Sequence, residues 1–92
     1  MAAVTNVLSL CRALRDGVAM LGLSKSQQAE LLQQVTRAER AATAQPIDGT
    51  TVDAAVRSMR YLLVEVADGP IAAFMADAAA EIIGDGIGKM FS

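Results

Sequence analysis

The stretch Thr51–Ala67, TVDAAVRSMRYLLVEVA, decides the fold. Val52, Ala55, Val56, Met59, Leu62, Leu63 and Val66 recur every three or four residues along it. Advancing about 100° per residue, they occupy one face roughly 120° wide. A strand would instead alternate every second residue. Asp53, Arg57, Arg60 and Tyr61 fall elsewhere on the helix. Val64 falls among those charged residues, so it is expected to be exposed or to be a contact point. Such a helix is stable only when its apolar face is covered, and the neighbouring segments must supply the cover.

Downstream, Asp68-Gly69-Pro70 ends this helix and opens the next: glycine suits the position after a helix, proline the first position within one. So short a junction predicts two antiparallel neighbours. From Ile71, the residues Ile71, Met75, Ala79, Ile82 and Ile83 form a broad apolar arc with Ala72, Ala76 and Ala78. Asp77, Glu81 and Asp85 mark the wet side. A wide arc implies more than one neighbour, so this helix is expected to be the most buried of the fold or an intersubunit helix. Gly84, Gly86 and Gly88 follow, each costing roughly 1 kcal/mol inside a helix. The helix is expected to fray there, or its glycines to admit another backbone. Ala72, Ala76, Ala80, Gly84 and Gly88 repeat small residues at four-residue spacing, but alanine abundance alone produces such runs.

Upstream, residues 45–50 (QPIDGT) read as the main loop, with Thr50 or Thr51 capping the helix that follows. Before it, Ser24-Lys25-Ser26-Gln27 fits a capping box, in which the serine hydroxyl and the glutamine side chain each satisfy a free backbone N–H. Leu31, Leu32, Val35, Ala38 and Ala42 give that helix a narrow stripe, suited to the outside of the fold. A first helix, from about Ala3 to Leu21, carries Val4, Val7, Leu8, Cys11, Leu14 and Val18 on one side. The expected fold class is therefore all-α: a compact, largely up-and-down bundle of four amphipathic helices with short connections, one domain over residues 1–92.

Composition narrows the function. Histidine is absent and Cys11 is the only cysteine, so an intrachain disulfide cannot form and a zinc site lacks ligands. No histidine is available to activate Cys11, which is expected to be a buried, inert thiol. The net charge of −2 opposes nonspecific nucleic-acid binding and a helix-turn-helix reading of residues 23–35. No apolar run reaches the length of a membrane span, the N-terminal residues lack the pattern of a signal peptide, and a reducing, cytoplasmic location is the default expectation. Helices of this kind, rich in Ala, Arg and Leu, are common in bacterial proteins. No nucleotide loop is present, and no cofactor, metal or catalytic residue is expected.

Mean hydropathy is +0.38, which alanine content or an apolar face completed by another chain would each explain. Charge is uneven: residues 1–66 carry seven basic and six acidic side chains, residues 67–92 one basic and four acidic. The expectation is a non-enzymatic interaction or assembly module, a homo-oligomer associating through its C-terminal helix. The candidate interface is Ile71, Met75, Ile82, Ile83, Ile87, Met90 and Phe91; the candidate charge contacts are Arg57, Arg60, Asp77, Glu81 and Asp85. Two alternatives stand beside it: a small regulator of the inhibitor or antitoxin type that binds one protein, and a membrane-active protein using residues 70–92.

Overall fold

The computed structural model describes residues 2–84 and Gly86. Four α-helices make up the fold: α1 (Ala2–Gly17), α2 (Lys25–Ala42), α3 (Gly49–Glu65) and α4 (Pro70–Gly84). Val18–Met20 extends α1 as one tighter 3-10 turn, so the first helix stops short of Leu21.

Local chemistry sets the helix ends. The Ser24 hydroxyl accepts the Gln27 N–H at 3.2 Å, and the Ser24 N–H donates to Gln27 Oε1 at 2.9 Å, completing the expected capping box. At α3 the cap is Asp48, not Thr50 or Thr51: its carboxylate accepts the Thr51 N–H at 3.1 Å and the Thr51 hydroxyl at 2.6 Å. A carboxylate reaches the third amide and also favours the positive end of the helix dipole, so α3 begins two residues before the threonine. The loop before it contains a cis Gln45–Pro46 bond.

Each helix packs against its neighbours in the chain, and α1 closes the ring against α4, leaving α2 and α4 on a diagonal. The Asp68 N–H donates to the Leu21 carbonyl at 2.9 Å, which places the α1–α2 and α3–α4 turns at one end. The Asp48 N–H donates to the Ala41 carbonyl at 3.1 Å and closes the α2–α3 connection at the other. The bundle is therefore up-and-down.

One core runs through all four helices, with Leu14, Leu31, Met59, Val35 and Val56 fully enclosed. Every stripe residue of α3 except Val66 is buried, and Val66 is half-buried against the core. Of the two expectations for α4, the one that it is the most buried helix is corrected: α3 is more enclosed, because it lies between α2 and α4 and packs on both. The apolar arc of α4 is covered by the chain's own α1 and α3. Ala72, Ala76 and Ala79 form its buried centre, and small side chains there let the neighbouring helices approach. Gly17 of α1 lies beside α4: a β-carbon there would meet the Met75 methyl at 3.5 Å, an ordinary van der Waals contact.

Candidate interaction surface

Met75 and Ile82, at 8% and 4% exposure, belong to the internal core and are not free for an interface. Ile71 and Ile83 are half-buried against the same core. The reason is the closure of α1 onto α4, which covers the face those residues share. Ile87, Met90, Phe91 and Asp85 lie outside the described residues.

The free side of α4 is marked by a different residue. Phe74 is 74% exposed, the most exposed of the large hydrophobic side chains described. It borders a groove of about 350 Å³ between α1 and α4, whose floor is Leu10, Met75 and Ile82 and whose rim includes Ser9, Ala13 and Glu81. Four and seven residues after Phe74 come Ala78 and Glu81, so the three share one side of the helix. Asp77 is exposed on the same outward face. Neither Asp77 nor Glu81 has an ion-pair partner among the described residues.

The candidate charge contacts are not brought together within the chain. Arg57 donates to Asp53 at 2.8 Å on its own helix. Arg57 and Arg60 border a hollow on the α3 side of α4, beside Ala80, Ile83 and Gly84. Glu81 faces the opposite, α1, side, and Asp77 borders the cleft near the α3–α4 turn. Val64 is exposed at 51% and borders that same cleft, as its place among charged residues implied.

On the far side of the bundle, α2 bears a shallow hollow of about 610 Å³. Ala41 and Ala44 line it with Gln33 and Thr36, and Arg37 and Arg40 are exposed beside them. Arg37 donates to Gln34 at 3.3 Å, and the Arg40 guanidinium has no hydrogen-bond or ion-pair partner among the described residues. Asp48 stands at the edge, its carboxyl held below the usual range by the Thr51 hydroxyl and backbone N–H, with Arg37 adding to the effect.

One charge pair joins two helices. Arg15 bridges α1 and α2, donating from Nε to Glu39 Oε2 at 3.2 Å and from Nη2 to Thr36 Oγ1 at 2.8 Å. The same hydrogen bonding holds the Glu39 carboxyl below its ordinary range. Cys11 is fully enclosed, and its thiol points to the Val35 carbonyl at 3.8 Å. Burial, reinforced by the Glu39 charge and opposed by Arg15, pushes that thiol up to about 12, so it stays protonated at neutral pH. Among the described residues, no three His, Cys, Asp or Glu side chains are grouped to hold a metal ion. No described helix is long and apolar enough to cross a membrane.

The hydrophobic pattern pointed to the apolar arc and passed over Phe74. The signal was present: projected onto the helix, Phe74 falls with Asp77 and Glu81, where an aromatic side chain is out of place. No family model, curated protein or solved structure matches the chain.

Proposed function

We propose that this chain is a non-enzymatic assembly module that associates with further copies of itself through the outward face of α4. The observation that carries the reading is the exposure of Phe74 beside the α1–α4 groove. Aromatic side chains are enriched at the buried centres of protein interfaces, where a few residues carry most of the binding energy. Full burial of such a side chain is worth about 1.5–3 kcal/mol, most of which the isolated chain forgoes. The internal core already holds the apolar arc, so association through α4 requires no unfolding of the monomer.

A protein surface suits Phe74 better than a lipid one. Asp77 and Glu81 stand beside it, and anionic headgroups repel carboxylates. A reducing compartment is the proposed setting, since the single enclosed thiol has no use for an oxidising one.

Solution mass by light scattering over a concentration series tests the reading. The expected result is a mass that rises above the 9.6 kDa of one chain as concentration increases. A mass fixed at 9.6 kDa into the millimolar range would overturn self-association and favour the regulator, with the same face engaging a different protein.

A further inference from the structure

We infer that the surface receiving Phe74 is the α2 hollow of a second copy, so that copies join head to tail. The inference rests on the self-association reading above and names its missing half. Phe74 protrudes from α4 with Asp77 and Glu81 beside it. The hollow on α2 is floored by half-buried Ala44 and the edge of Ala41, which is mostly in the core, and carries two exposed guanidiniums, Arg37 and Arg40. The two surfaces are opposite in charge and in relief. A phenyl ring seated on the alanines meets cations at its face, an arrangement that attracts through the ring quadrupole. The carboxylates one and two turns further along α4 then come within reach of Arg37 and Arg40, whose forked donors suit them. Asp48 at the edge of the hollow keeps its charge, its carboxylate favoured by two hydrogen bonds from Thr51, but two guanidiniums against one carboxylate leave the hollow net positive.

Two features favour this partner over a symmetric α4–α4 contact. A two-fold pairing of α4 with itself would gather four carboxylates, Asp77 and Glu81 of each copy, at one interface, and like charges gathered at an interface are unfavourable. The second feature is position. With α2 and α4 on a diagonal of the bundle, neither surface can satisfy the other within one chain. Such a contact is heterologous, and repeats into a ring or a filament according to its rotation.

Phe74→Asp removes the protrusion and keeps the hollow; Arg40→Glu does the reverse. Both positions are exposed, and circular dichroism checks that each variant folds. The expected result is that wild type assembles, each variant alone loses association by at least about tenfold, and an equimolar mixture forms a 1:1 dimer that grows no further. That arrest follows because only one intact protrusion and one intact hollow remain to meet. If Phe74→Asp dissociates the assembly while Arg40→Glu leaves it unchanged, α4 is the interface but α2 is not its receiver, and the inference falls alone. A mixture that stays monomeric also overturns it. Wild type that is monomeric at every concentration overturns the assembly reading and the inference together.

Discussion

Phe74 and Met75 are adjacent in sequence and about 100° apart around α4, and truncating each to alanine should separate assembly from folding. Met75 is 8% exposed and packs over Gly17. Removing a buried methionine to alanine costs about 2–5 kcal/mol. A chain of this size has a total stability of about 5–14 kcal/mol. Since about 1 kcal/mol moves the midpoint of a small domain by roughly 4–8 °C, Met75→Ala lowers it by about 10 °C or more. Phe74 is 74% exposed, so only a quarter of its surface is covered. Scaling the roughly 3–5 kcal/mol of a fully buried Phe→Ala change by that quarter leaves about 1 kcal/mol. The better helix propensity of alanine returns about 0.5 kcal/mol of this. Phe74→Ala therefore shifts the midpoint by no more than about 4 °C. Its effect appears in association instead, where loss of a central aromatic residue costs about 2 kcal/mol or more, roughly a thirtyfold weaker constant. Thermal unfolding by circular dichroism in dilute solution reads the first quantity, and sedimentation over a concentration series the second. The reasoning is refuted if Phe74→Ala melts as low as Met75→Ala, or if it associates as tightly as wild type.

Three further outcomes follow from features of the monomer. Gly22 sits at φ 70, with a substituted β-carbon 3.5 Å from that of Asp68; the left-handed cost of about 1–2 kcal/mol exceeds the entropic gain of about 0.4–1 kcal/mol. Gly22→Ala should thus lower the melting midpoint by several degrees, and a rise would show that the turn tolerates a side chain. The Glu39 carboxyl is held low mainly by its hydrogen bond from Arg15, so its stabilising contribution is complete above the unfolded-state carboxylate range and is lost as pH falls through the lower folded value. Melting temperature should decline on acidification, less steeply in Glu39→Gln; equal slopes would discount the bridge. Cys11, enclosed and protonated, should react slowly with a thiol reagent at pH 8 in the native protein and rapidly in denaturant, and fast stoichiometric labelling of the native chain would contradict the packing.

Much of the fold was legible because its elements are locally consistent. The α3 stripe from Val52 to Leu63 repeats at helical spacing, and the structure buries it. Ser24 and Gln27 sit at the separation their mutual hydrogen bonds need. The α3 cap was misplaced because Gly49 resembles a breaker, whereas the Asp48 carboxylate reaches past it to Thr51. For α4 the difficulty was tertiary. Its apolar arc is broad, and side-chain size alone suggests that the isoleucines mark its centre. Close approach by α1 and α3 puts alanines at the centre and leaves Ile71 and Ile83 at the edges. Which part of the arc another chain could use depended on how α1 closed, and no local pattern encodes that. The acids of α4 were read correctly as outward-facing at Asp77 and Glu81, but the aromatic residue among them was visible only by position.

The hydrogen bond from the Asp68 amide to the Leu21 carbonyl joins the α1–α2 hairpin to the α3–α4 hairpin across 47 residues of chain. It lies in a turn, where amides ordinarily exchange with solvent deuterium in moments, yet its acceptor belongs to the other half of the molecule. Its protection is therefore a gauge of whether the two halves unfold as one cooperative unit or part before either melts. Should it exchange with the core amides of α3, the bundle opens all at once; should it exchange earlier, the hairpins separate first, exposing α1 and α4 to each other's counterparts in a neighbouring chain and opening a route to domain exchange.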